Sequence, residues 1–179
     1  MIKKLAIAAA ALIGIVIAAV LILAAMKPDT FRVARSASIK APPEKIFPLI
    51  ADLHKFNTWN PYEKKDPNIK GTYRGPSSGK GAAYAWESME VGTGSMEITG
   101  TAAPSKVAMK LDFVKPFEAH NVVEFTLAPN GDATEVTWAM NGPVPFMAKV
   151  VHVIFDMDSM VGKDFEAGLA NLKALAESK

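Results

Sequence analysis

Asp158 is the residue whose placement most invites chemistry. On a helix advancing about 100° per residue, it falls within about 60° of Ile154, Val161 and Phe165, on the apolar stripe of a C-terminal helix. A carboxylate held there needs a partner or takes up a proton, and burial raises its pKa. As a functional group it would orient a polar ligand or act as an acid or base. As a structural group it would bond a sheet hydroxyl or backbone group, or sit where the helix opens to solvent. Tyr84, on an alternating strand, is the second candidate for acid/base work, and neither residue has a neighbouring motif. His54, His120 and His152 stand outside any HxxxH or HxH pattern with a carboxylate partner, and the chain has no cysteine. No metal site, thiol nucleophile or cofactor is therefore expected. Gly79-Lys80-Gly81 and Gly92-Thr93-Gly94 are glycine turns between strands and lack the strand-turn-helix context of a phosphate loop.

A second set has no reactive group but suits a hydrophobic ligand. Tyr84, Trp86, Met96, Met109, Phe113, Phe125, Trp138 and Met140 fall on strands, and Ile154, Asp158, Val161 and Phe165 fall on one helix face. Core packing is the plain reading. The functional reading is a pocket wall, because Met adapts to ligand shape and Trp or Tyr offers an apolar face with one hydrogen-bond donor. One long helix cannot cover a wide sheet completely, and a pocket of about 300–1,000 Å³ would suit a lipid, quinone or polycyclic compound. Glu87, Glu97, Asp112, Glu124 and Glu135 occupy the outward positions of the same strands and read as solvated.

The elements that must position these residues are legible from periodicity. Phe31–Lys40 reads as a strand. Pro42-Pro43-Glu44 then opens a helix with Ile46, Phe47, Ile50 and Leu53 on one face, kinked or split at Pro48. A second short helix holds Phe56 and Trp59 and ends at Asn60-Pro61, with Trp59 packed at a structural corner. Strands are expected over Lys80–Met89, Gly94–Thr99, Lys106–Phe113, Val123–Leu127 and Val136–Met140, within a series of about six between the helical pair and the final helix. Asn130-Gly131 marks a hairpin. Phe146–Ser178 reads as one continuous helix. A curved antiparallel sheet of six to seven strands wrapped on a long C-terminal helix, an α+β fold, is the simplest packing.

The N-terminus is different in kind. Leu5–Met26 has no charged residue, Asn, Gln or Pro, and its length of about 33 Å matches a hydrocarbon core of about 30 Å. The expected division is a transmembrane anchor over residues 1–27 and one soluble domain over 28–179. A cleaved signal peptide is the rival; the stretch exceeds the 7–15 apolar residues usual there, and Leu23 spoils the small-residue cleavage pattern. The short head before the span places the domain on the extracytoplasmic side, although Lys27, Arg32, Arg35 and Lys40 pull against that orientation. Without Lys3, Lys4 and Lys27 the chain has 17 basic and 18 acidic residues, so nucleic-acid binding is disfavoured. Nothing in the sequence reads out an oligomeric state.

Six segments in order resemble the polyketide cyclase/dehydrase branch of the START/Bet v 1-like (SRPBCC) superfamily. They are Ile39–Phe47, Asn57–Pro61, Tyr84–Glu87, Asp112–Phe117, Thr134–Trp138 and Asp158–Leu169. The resemblance implies the helix-grip fold, with a deep apolar pocket between sheet and long helix, over nearly all of Phe31–Lys179. It implies no reaction. Three functions follow for comparison: membrane-anchored binding, or transport, of a hydrophobic small molecule or lipid; a cyclase/dehydratase-type enzyme using Asp158 and Tyr84; and a protein-interaction or chaperone-like module.

Overall fold

A computed structural model of the chain describes residues 2–178. They form two compact units, one of Met1–Phe31 with Pro143–Met157, the other of Arg32–Gly142 with Asp158–Lys179.

The first unit is helical. Helix α1, Ile2–Ala25, is long and apolar enough to cross a membrane. Its apolar side chains are exposed, Leu5 at 74% and Ile22 at 62% among them. Near its end, Val20 is half-buried and Ala24 fully buried where a second helix packs on it. The Lys149 ammonium of that second helix pairs with the Asp29 carboxylate, and the Val144 N–H donates to the Asp29 carbonyl at 2.7 Å.

The second unit is built on a seven-stranded antiparallel sheet in the order β1-β7-β6-β5-β4-β3-β2. The strands are β1 Thr30–Ile39, β2 Lys70–Arg74, β3 Ala83–Glu87, β4 Thr93–Ala102, β5 Lys106–Lys115, β6 Ala119–Asn130 and β7 Ala133–Pro143. Register carries one face across the sheet: Tyr84 opposes Met96, Met96 opposes Leu111, Met109 opposes Val123, and Phe125 opposes Trp138. The alternation of apolar and polar residues makes this the inner face. At the β6–β7 hairpin only Gly131 takes a positive φ, 64°.

Two helices sit between β1 and β2: α2 Pro43–Ala51 and α3 Leu53–Trp59. The break falls at Asp52, not at Pro48, which stays inside α2. Asp52 is extended and its carboxylate accepts the backbone N–H groups of His54 and Lys55 at 2.9 and 3.3 Å. That is a strong N-cap, so a new helix starts there. A 3-10 turn, Pro61–Lys64, follows, and the Trp59 indole donates to the Leu49 carbonyl at 2.8 Å, which fixes the corner.

The C-terminal segment corrects the sequence reading. The expected continuous helix is two: α4 Phe146–Ile154 in the first unit and α5 Met157–Glu177. Phe155 between them is extended, with φ −114° and ψ 132°. The stripe read as continuous joined two helices with different faces, so the angular phase carried across Phe155 was not preserved. Ile154 therefore leaves the stripe, whereas Asp158 keeps its angular place on the Phe165 face of α5 and is exposed because it lies one turn ahead of the first buried residue, Gly162. Asp158 lies in the first turn of α5, where a carboxylate favours the helix dipole.

Candidate functional site

Helix α5 reaches the sheet where its side chains are smallest or flattest. A Cβ on Gly168 would lie 2.6 Å from the Trp138 ring and 3.0 Å from Pro61, so the absence of a side chain sets the close approach. One turn earlier, Phe165 stacks on Trp138 with centroids 4.1 Å apart and planes 9° from parallel. Phe56, Trp59 and Phe125 complete this ring cluster, with Phe125 5.0 Å from Trp138 and Phe56 4.7 Å from Trp59. Phe125, Phe165, Phe56 and Trp59 are each at most 2% exposed. This part of the interior is packed core.

Toward the β2 edge the inner face changes character. Tyr73, Tyr84, Trp86 and Phe113 form a second run of rings, with successive centroids 4.7, 6.2 and 5.7 Å apart. His54 stacks on Tyr73 at 3.7 Å. Two glycines admit these rings: Tyr84 lies over Gly71 and Trp86 over Gly94, where an added Cβ would come within 2.5 and 2.7 Å of the ring atoms. Met96 and Phe113 are only half-buried, whereas Met109 and Phe125 are fully buried.

Polar groups converge on this end through the 3-10 turn. Burial raises the Tyr84 phenol, and the Glu63 carboxylate that accepts its hydrogen bond raises it further. Burial also pushes the Glu63 carboxyl up, only partly offset by that bond. The neighbouring Tyr62 phenol is raised by burial and then by Asp164 of α5, and Asp164 in turn accepts from Lys65 at 2.7 Å. Both tyrosines are thus held in the protonated, hydrogen-bond-donating form. Among the described residues, two buried side-chain polar atoms have no hydrogen-bond partner, Nε1 of Trp86 and Nε1 of Trp138. A buried unpaired N–H costs about 1–3 kcal/mol, and such a donor beside an apolar surface is where a ligand acceptor would gain most.

The residues nominated from sequence separate into three places. Tyr84, Trp86, Met96, Met109, Phe113, Phe125, Trp138 and Met140 share the inner sheet face. Phe165 packs there from α5, and Val161 is half-buried one turn before it. Ile154 belongs to the helical unit and is 67% exposed. Asp158 departs from its expected burial. Its side chain is 60% exposed, and Arg35 of β1 grips it with two bonds of 2.9 and 3.2 Å. The guanidinium also donates to Glu166 at 2.9 Å. The Arg35 charge holds the Asp158 carboxyl below the usual range, so it is a fixed anion rather than a proton donor. Tyr84 is on β3 and Arg35 on β1, with β7, β6, β5 and β4 between them. The two acid/base candidates do not form one constellation.

Sequence reasoning missed Tyr62, Glu63, Tyr73 and Asp164. Glu63 lies two residues after Pro61 of the Asn60-Pro61 corner, and that corner is the signal that could have placed it near the site. It also missed a cleft of about 200 Å³ lined by Leu53, His54, Tyr73, Pro76 and Ala83 on the flank of the β2–β3 hairpin. Among the described residues no group of His, Cys, Asp and Glu is placed to hold a metal ion.

The comparisons agree with this geometry. A structure from Chromobacterium violaceum, protein CV1439, superposes with a TM-score of 0.59 at 15% identity, covering 86% of this chain and all of that one. The ginseng major latex-like protein 151 from Panax ginseng gives 0.62 at 16% identity, covering 84% of this chain and all of that one. The Aha1 protein from Colwellia psychrerythraea, solved as a dimer in solution, gives 0.56 at 14% identity, covering 82% and 96%. At these identities the likeness is one of fold. No curated protein shows significant similarity to the sequence. The family model described as polyketide cyclase / dehydrase and lipid transport matches residues 30–177, and with its seven-stranded sheet gripping α5 the chain belongs to that family, within the Bet v 1-like fold.

Proposed function

We propose that the protein binds a hydrophobic small molecule carrying a hydrogen-bond acceptor, such as a lipid, quinone or polyketide, on the inner sheet face near Trp86. We further propose that α1 anchors it in a membrane, with the domain on the extracytoplasmic side. The observation that carries the binding reading is the unpartnered indole N–H of Trp86, 8% exposed, among Tyr84, Phe113 and half-buried Met96. The rings supply apolar area, and the free indole N–H supplies direction. The family description, which includes lipid transport, supports the same reading. Anchoring fits it physically, because such ligands partition into the bilayer. An enzyme reading gains little, since Asp158 is ionised and engaged by Arg35.

The test uses the three indole N–H groups as reporters. With 15N-labelled tryptophan in the full chain in micelles, Trp59 serves as internal reference because its N–H already bonds Leu49. Titration with oleic acid and with a short-chain quinone is expected to move the Trp86 resonance downfield as its N–H acquires an acceptor, and to leave Trp59 in place. A Trp86 resonance unmoved by both probes would remove the site.

A further inference from the structure

Helix α4 has its polarity turned inside out for a protein in water. Its lysine, Lys149, is 7% exposed and paired with Asp29, while Met147, Val151 and Ile154 are 73%, 44% and 67% exposed. At about 100° per residue these three fall within an arc of about 60°, and Lys149 lies on the opposite side. Phe146 and Phe155 flank the arc and are 48% and 53% exposed. Water would favour the reverse arrangement.

The position of α4 on α1 says what covers this face. The two helices meet at Val20 and Ala24. Counting about 1.5 Å per residue back from Met26, that contact lies about 3–9 Å inside the end of the apolar stretch. Helices that lie in the membrane surface bury their apolar face about 5–10 Å into the boundary between headgroups and acyl chains. The lipid-compatible residues Leu21, Ile22 and Leu23 of α1 are exposed at the same level.

From this we infer that α4 is an interfacial membrane helix, seated in the lipid surface through Met147, Val151 and Ile154 beside the end of α1. The inference rests on the reading of α1 as a membrane span. The bilayer, and not a protein, is its partner. The Lys149–Asp29 pair orients the helix so that its one charged residue is neutralised on the side away from the acyl chains.

The absence of cysteine makes the test direct. Single cysteines at Met147, Val151, Ile154, Ile13 and Asp132 are spin-labelled in the full chain reconstituted into phosphatidylcholine vesicles. Collisions with oxygen, which concentrates in lipid, are compared with collisions with a water-soluble nickel chelate. The three α4 labels are expected to favour oxygen, as the Ile13 label does, while Asp132 in the polar β6–β7 turn favours the chelate. If Ile13 favours oxygen and the α4 labels favour the chelate, the α4 inference fails and the span stands. If Ile13 also favours the chelate, both fail. If the α4 labels are shielded from both reagents and broaden one another between chains, the face is covered by a second copy and the inference is overturned.

Discussion

Two glycines of α5 face neighbours of opposite kinds, and replacing each by alanine should give effects of different sign. At Gly168 the new Cβ would lie 2.6 Å from the Trp138 ring and 3.0 Å from Pro61. Trp138 cannot turn aside, because Phe165 stacks on it at 4.1 Å and Phe125 sits at 5.0 Å. Overpacking of this kind costs about 1–3 kcal/mol, while the gain in helix propensity returns about 1 kcal/mol. The expected net loss is about 1 kcal/mol. At Gly162 the new Cβ would lie 2.0 Å from the Arg35 guanidinium, the far end of a flexible side chain. That end can swing outward at the loss of its exposed pairs with Asp158 and Glu166, worth about 0–1 kcal/mol, against the same propensity gain of about 1 kcal/mol. Gly162→Ala should therefore be neutral or slightly stabilising. Thermal unfolding of the full chain in detergent, followed by near-ultraviolet circular dichroism, reads the difference. At about 2–4 °C per kcal/mol for a chain of this size, Gly168→Ala should melt about 2–8 °C below Gly162→Ala. Equal melting, or a lower midpoint for Gly162→Ala, would refute the reasoning that α5 is held at fixed distance by Trp138 and only fringed by Arg35.

Asp52→Ala should cost about 0.5–2 kcal/mol by removing the cap of α3, whereas Asp52→Asn should keep most of it; urea unfolding of the two variants distinguishes them. His120 is raised by the Asp112 carboxylate and then by Glu118. Its contribution to stability should be fully present below its unfolded pKa of about 6.5 and fade as pH rises through the higher folded value. Stability measured across pH 6–9 should lose that small dependence in His120→Gln, and a proton NMR titration placing His120 below about 6.5 would contradict the assignment.

What could be read from the sequence depended on how each element meets solvent. Strands β3 to β7 were visible because one face is buried and the other wet, as at Val107, Met109 and Leu111 against Lys110. Strand β2 was missed because all five residues, Lys70–Arg74, are exposed at the sheet edge, and an edge strand without a buried face has no alternation to detect. The inner-face aromatics followed from the same alternation. The exposure of Asp158 did not: its angle relative to Phe165 survives on α5, but a helical period does not show where the helix begins, and Asp158 falls in the first turn, held by Arg35 of the distant β1. Ile154 was misplaced because the extended Phe155 separates it from α5. Glu63 and Asp164 were invisible for another reason: their meetings with Tyr84 and Tyr62 join segments far apart in sequence, through a 3-10 turn with no period of its own.

The most direct measurement of the central claim is native mass spectrometry of the full chain released from detergent, in parallel with Met96→Trp. Met96 is half-buried on the inner face between Tyr84 and Leu111, so an indole there fills the space proposed for the ligand. Lipid held around α1 should be the same in both proteins. The account predicts one retained hydrophobic mass in the wild-type chain that is missing from Met96→Trp. Equal retention in the two, or none in the wild-type chain, would contradict it.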